Sequence, residues 1–229
     1  MIKTDTVDYE GKTFEIQYEE LAPGIVVYKN AIPKKWDVIN RLENALQMEG
    51  TRFSWKDAEV GYGELVLDAR KCKDWKISDI NLEPRDQYSD EAWDIWENTM
   101  TSLKIALEHY KPNNYLDQIE YYECINVVKY GKGEFFTVHT DDGEPYRCTT
   151  SAVGYPNDDY EGGELYFPLF DLKYKPEAGD IVINPSAYSY AHSAEPVTDD
   201  GIKYSFVIMM DRSEIGHRKD SPTYHTGQD

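Results

Sequence analysis

Five histidines occur in the chain: His109, His139, His192, His217 and His225. His139 is followed by Thr140 and Asp141. In an extended strand, residues i and i+2 point to the same side, so this imidazole and this carboxylate can reach one metal ion. A second histidine would complete a two-histidine, one-carboxylate face, the donor set that suits non-haem iron(II) and leaves positions open for substrate, oxidant or water. His109 falls at the end of an expected helix, where it suits the negative end of the dipole. His217 and His225 fall in a polar tail. His192 remains as the third ligand, and it follows an expected strand in the same β-rich half. His139, Asp141 and His192 are therefore the candidate catalytic and metal-binding residues. An HxD triplet alone recurs by chance, and a lone His or Asp is commonly just hydrogen-bonded structure, so the surrounding elements decide.

Those elements are mostly short strands. Residues 12–20 and 23–30 read as the first two. A helix is expected next, with Pro33 near its start and Trp36, Ile39, Leu42 and Leu46 at helical spacing. Residues 50–63 read as loop, and 64–87 match no single pattern. A second helix follows, with Ser89 as cap, Asp90 and Glu91 in the first turn, and a stripe of Trp93, Trp96, Met100, Leu103 and Leu107. It is expected to stop before Lys111-Pro112. From residue 119 the texture changes to strands at 119–130, 147–155, 164–168, 179–185 and 203–210, separated by Gly- and Asp-rich turns. Such a series indicates two packed sheets or a barrel, with the helices covering one sheet. The expectation is a mainly β, single-domain chain over 1–229: helical support at about 31–110, a jelly-roll (double-stranded β-helix) core at about 119–210 and a polar tail at 211–229.

The order of motifs resembles the prolyl 4-hydroxylase branch of the 2-oxoglutarate/Fe(II) dioxygenases. The family's Tyr, Gly, aromatic and HxD series reads here as KYGKGEFFTVHTD (129–141). A strand with Arg and Thr, then GGE before Phe-Pro, reads RCTTSAVGYPNDDYEGGELYFP (147–168). The Gly-Asp turn, strand and distal histidine read AGDIVINPSAYSYAHSAEPV (178–197), and a basic residue opens the last core strand in GIKYSFVIMM (201–210). The resemblance implies that His139, Asp141 and His192 hold Fe(2+). It implies that Lys203 and Tyr130 meet the distal carboxylate of 2-oxoglutarate, and that O2 is the second co-substrate, with ascorbate as a supporting reductant. Asn184 departs from the apolar residue common at its position.

The residues themselves agree for Lys203. It opens an otherwise apolar strand, and a buried ammonium needs a charge partner, which a dicarboxylate would supply. The plain alternative is an ordinary lysine beside the Asp199-Asp200-Gly201 turn. Ser205, two residues on, shares its face. Tyr130 has the alternation phase of Tyr122, Cys124 and Asn126, so Asn126 is either a pocket donor or a sheet-edge residue. Thr150 is expected to face the pocket from the next strand. Arg147 is a possible substrate contact, or pairs with the acidic loop. Gly162 and Gly163 suit a tight turn.

Lys and Arg number 24 against 43 Asp and Glu, a formal charge of −19. A field of that sign repels phosphate backbones and argues against a nucleic-acid substrate. It favours a neutral or basic peptide or protein, or simply keeps the chain soluble. Loops 50–63 and 81–90, with Asp142 and Asp158-Asp159, are expected to frame the substrate groove. Three scattered cysteines without a CxxC pair indicate no disulfide framework, and with no apolar run long enough to span a bilayer the expectation is a cytoplasmic, soluble monomer or homodimer. The leading expectation is hydroxylation of a peptidyl proline with release of succinate and CO2. Alternatives are hydroxylation of a free amino acid or other small molecule, and a jelly roll that binds without turnover. The presence of Asp141 argues against a halogenase, whose acid ligand must be replaced to admit halide.

Overall fold

The computed structural model describes residues 1–61, 63–114, 119–143 and 147–212, together with the backbone of 224–226. The strands are β1 (Lys3–Tyr9), β2 (Lys12–Ala22), β3 (Ile25–Lys29), β4 (Lys56–Asp57), β5 (Arg70–Lys71), β6 (Lys73–Ile77), β7 (Tyr121–Glu123) and β8 (Ile125–Tyr130). They continue as β9 (Phe135–His139), β10 (Thr150–Gly154), β11 (Leu165–Phe167), β12 (Leu172–Tyr174), β13 (Ile181–Pro185), β14 (His192–Ala194), β15 (Lys203–Asp211) and β16 (Tyr224–Thr226). The helices are α1 (Val38–Gln47), α2 (Asp79–Leu82) and α3 (Asp90–Asn113).

Two antiparallel sheets form a mainly β jelly roll. The major sheet runs β1-β2-β3-β13-β10-β15-β8-β6-β4, with β7 also on β15 and β16 on β7. The minor sheet runs β12-β11-β14-β9-β5. Alternation divides each central strand into two faces. Val127, Ala152, Ile183, Phe206 and Ile208 pack with Leu42 of α1 and Ile95, Leu103 and Leu107 of α3 in one large core. The opposite face, carrying Val128, Tyr130, Val153, Val182 and Val207, looks toward the minor sheet and builds two smaller cores there. The expected cover of one sheet by the two long helices is therefore observed, and the space between the sheets is left for the site.

Local chemistry moves several boundaries. Pro33 opens only a single turn at Lys34–Trp36, and left-handed Asp37 (φ 49°) separates it from α1. Ser89 does not cap α3 with its side chain. Instead Asp86 Oδ1 accepts from Ser89 N at 3.2 Å while Ser89 Oγ accepts from Asp86 N at 3.0 Å, a reciprocal cap one turn earlier. The helix also continues through Pro112 rather than stopping before it. Asn113 Nδ2 donates to His109 O at 2.7 Å and Asn114 Nδ2 to Tyr110 O at 2.9 Å, so side chains satisfy the last-turn carbonyls. Strand β1, which the polar N-terminal sequence concealed, pairs with β2 along its whole length. At the other end, most of the polar tail lies outside the described residues, but 224–226 do not fray: their backbone pairs with β7.

One irregularity corrects the expected phase of Tyr130. Tyr122 opposes Met210, but Asn126 opposes Val207, so four steps on one strand match three on the other. The extra residue, at Cys124 between β7 and β8, inverts the alternation. Tyr122 accordingly joins the helix-side core, whereas Tyr130 faces inward.

Candidate active site

His139 ends β9 and His192 begins β14, and the antiparallel register sets them directly opposite each other. Asp141 lies just past the strand end, where the chain has left the sheet. It still returns its carboxylate between the two imidazoles: Oδ1 is 3.5 Å from His139 Nε2 and Oδ2 is 3.7 Å from His192 Nε2. One donor atom from each of the three residues lies within 4.8 Å of the others. The structure thus brings together the three residues singled out in the sequence. Cross-strand pairing and a turn achieve this rather than two successive positions of one strand.

The imidazole tautomers are set by the backbone. His139 Nδ1 donates to Thr137 O at 2.8 Å and His192 Nδ1 to Tyr190 O at 3.1 Å. A carbonyl only accepts, so each Nδ1 carries the proton and each Nε2 keeps its lone pair for a metal. Phe136 stacks on the His139 ring at 3.6 Å, and the Arg70 guanidinium lies 4.9 Å from the centre of Phe136 on its way across from β5. Arg70 comes from the stretch 64–87, which matches no single pattern. Its pairing with Phe136 in the minor sheet is a signal that only the register reveals.

Burial would raise the Asp141 carboxyl, but the two histidines, helped by Ser151, outweigh it and hold the group well below the usual carboxylate range. Burial depresses His192, which keeps it neutral and ready to ligate. Asp141 Oδ2 is buried and has no hydrogen-bond partner among the described residues. A buried carboxylate oxygen without a donor is costly, and a divalent cation between the three residues would satisfy it. These residues therefore fit iron(II).

Lys203 opens β15 directly opposite Tyr130 of β8. It is only 2% exposed. Its Nζ donates to Gly163 O at 2.7 Å and lies over the rings of Tyr130 and Tyr155, and among the described residues it has no carboxylate partner. Burial, with Lys175 nearby, pushes its pKa down to about 7. Ser205 is buried on the same inward face, next to Val128. Asn126 also shares the inward face of Tyr130, and its Oδ1 is buried without a partner among the described residues. Gly162 and Gly163 (φ +70° and +65°) make the expected tight turn, which delivers the carbonyl that Lys203 uses.

Thr150 is corrected. It opposes Met210 and shares the phase of Ala152, so it points to the helix-side core. The inward residue of β10 at this level is Ser151, which bonds Ser186 at 2.8 Å and Cys148 at 3.3 Å behind Asp141. The slip arose because the sequence does not show where β10 enters the sheet.

Beside the metal triad, Asp142, Arg147, Thr149, Asp211 and Arg212 line an open cavity of about 360 Å³. Arg147 is exposed there. Asp158, by contrast, accepts from Ala178 N and pairs with Lys34, and Asp159 accepts from Asn157. Those two acids hold a turn and do not frame this cavity. Loops 50–63 and 81–90 are lashed together by Arg52, which bonds Asp86, Leu82 O and Pro84 O.

Residues 125–210 match the family model of the 2OG-Fe(II) oxygenase superfamily. No curated protein matches the chain. Among solved structures, the chain is similar in fold to a prolyl hydroxylase from Trichoplax adhaerens in complex with a hypoxia inducible factor peptide fragment (TM-score 0.64, 15% identity, 87% of this chain and 88% of that one). It is similar to a Pseudomonas putida prolyl-4-hydroxylase (TM-score 0.58, 18% identity, 83% and 94%). It is also similar to the viral collagen prolyl hydroxylase of Paramecium Bursaria Chlorella virus-1 (TM-score 0.57, 16% identity, 82% and 95%). The family model covers less than half of the chain, and the likeness to these three prolyl hydroxylases is one of fold.

Proposed function

We propose that residues 1–229 form one dioxygenase domain that hydroxylates a peptidyl proline in a protein or peptide. One oxygen atom of O2 would enter the substrate C–H bond as hydroxyl, and the other would enter 2-oxoglutarate as it loses CO2 to become succinate. The observation that carries this reading is the meeting of His139, Asp141 and His192 at one point, with a buried, otherwise unpaired Lys203 on the same inward-facing side of the sheets.

His139, Asp141 and His192 would hold the iron, which when bound supplies the oxygen-activating redox chemistry. Lys203 and Tyr130 would take the distal carboxylate of 2-oxoglutarate, fixing its keto-acid end toward the metal, while Ser205 and Asn126 offer further polar contacts. The aromatic and aliphatic walls from both sheets exclude water from the reacting centre. The open, charged cavity at Arg147 supports an extended chain as substrate, with Arg147 as a contact and a neutral or basic peptide favoured by the overall charge. Ascorbate is proposed as the reductant that returns oxidised iron to the active state. The described cysteines are all buried free thiols, which suits a reducing compartment such as the cytoplasm, and no helix among the described residues is long and apolar enough to cross a membrane.

The test is mass spectrometry of proline-containing peptides incubated with the enzyme, iron(II), ascorbate and 2-oxoglutarate. A gain of one oxygen on proline, matched by succinate, is expected. Oxygen gained only by free amino acids would replace the peptide reading with the small-molecule one.

A further inference from the structure

Tyr160 lies in the loop between β10 and β11, and neither motif nor periodicity singles it out. It is 3% exposed, and its hydroxyl is buried with no hydrogen-bond partner among the described residues. The ring packs in the inward cluster with Tyr130, Cys72 and Val128. A methyl group placed on Gly163 would meet Tyr160 Cε2 at 2.9 Å and Lys203 Cδ at 3.0 Å, so both side chains crowd against the same glycine. The loop is firmly held. Lys175 Nζ donates to Tyr160 O at 2.7 Å and Gly162 O at 2.6 Å, and sits 4.0 Å over the Tyr160 ring centre. Across from it, Gly201 makes room for the loop backbone, since a side chain there would meet Asp159 O at 2.7 Å.

A buried phenol without an acceptor is costly, and its ring crowds the same glycine as the stem of Lys203, whose ammonium has one carbonyl for its three donors. Donors left unfilled on two neighbouring side chains call for an anionic acceptor with more than one oxygen. We propose that Tyr160 is a further co-substrate-binding residue, donating its hydroxyl to the distal carboxylate of 2-oxoglutarate alongside Lys203. This rests on the co-substrate reading of the pocket given above. Burial and the nearby acids raise the phenol pKa, so it remains a donor throughout the working pH range. The GGE turn thus has two tasks: it brings a carbonyl to Lys203 and leaves space for a phenol that completes the carboxylate's shell.

The experiment is calorimetric titration of the iron(II)-loaded protein under argon with 2-oxoglutarate and, separately, with pyruvate, which keeps the keto-acid end but lacks the distal carboxylate. Tyr160→Phe retains the ring under Lys175 and removes only the hydroxyl, and its thermal melt confirms folding. Loss of one hydrogen bond to a charged group predicts about tenfold weaker binding of 2-oxoglutarate, with pyruvate affinity the same as in the wild type. Wild-type protein that binds no 2-oxoglutarate would overturn the co-substrate reading itself. Wild-type protein that binds it, matched by an equally tight Tyr160→Phe variant, would overturn the Tyr160 assignment alone. An equal weakening for pyruvate would also overturn it, because the contact would then not be to the distal carboxylate.

Discussion

His139 and His192 each commit Nδ1 to the carbonyl two residues upstream, and this local bond is what frees Nε2 for a metal. Substituting His139 or Asp141 by alanine is therefore expected to abolish succinate formation and weaken iron(II) binding, read by turnover and by metal titration. Lys203→Ala is expected to weaken 2-oxoglutarate binding by about 30-fold or more, because a carboxylate would be buried without its charge partner. Lys203 also sets a pH dependence. Its pKa is pushed down to about 7 in the absence of an anion, so the lysine loses its proton as pH rises through that value, and the binding-competent ammonium becomes scarce. Affinity for 2-oxoglutarate should fall by about tenfold per pH unit above about 7, with proton uptake on binding, visible as heats that vary with the ionisation enthalpy of the buffer. The same shift acts on folding in the empty protein. A folded-state pKa below the unfolded one gives stability that is fully present above the ordinary lysine value of 10.5 and is lost progressively as pH falls from there to about 7. At this scale the sequence was informative for residues whose chemistry is rare: two histidines, one HxD carboxylate and one lysine in an apolar strand. Tyr160 was not legible, because one tyrosine among nineteen carries no signal until its unpartnered hydroxyl is seen.

Elements place these residues through register. Strands β8 and β15 align Tyr130 with Lys203, and β9 and β14 align His139 with His192. The strands at 179–185 and 203–210 were readable because near-continuous apolar runs follow the turns at Gly179-Asp180 and Asp200-Gly201. What could not be read was their phase. The extra residue at Cys124 inverts Tyr122 relative to Tyr130, and the same uncertainty misplaced Thr150 in favour of the inward Ser151. A bulge depends on the partner strand, and the sequence of one strand does not contain it. Helix α3 offers a similar lesson. Ser89 has the residue type of a cap, yet the reciprocal bonds with Asp86 place the cap one turn upstream. Asp86→Ala should lower stability, as a reduced denaturation midpoint with an unchanged denaturant slope, and leave the affinity for 2-oxoglutarate unaltered.

Across the whole molecule, the large core lies between the major sheet and helices α1 and α3, so the inter-sheet space need not supply all the packing and can hold polar groups. Glu43 of α1 joins the two layers by accepting from Lys129 Nζ and Tyr204 Oη, the residues next to Tyr130 and Lys203 on the reverse face. The architecture was legible because strand count, turn spacing and motif order all agree. Strand β1 was not, because its exposed, polar residues carry no apolar alternation. Net charge acts at this scale as well. With −19 on the chain, a basic peptide substrate should show a KM that rises from low to high salt, whereas a neutral peptide of the same proline sequence should not, since only the former is drawn by a screened field.

We propose that His139, Asp141 and His192 would hold iron(II) where 2-oxoglutarate binds. Anaerobic absorption spectroscopy tests this most directly. Wild-type protein given iron(II) and then 2-oxoglutarate is expected to develop a visible charge-transfer band that saturates at one equivalent of metal, and the folded His139→Ala and His192→Ala double variant is expected to show none. A wild-type protein that stays colourless, or a double variant that develops the same band, would contradict the account.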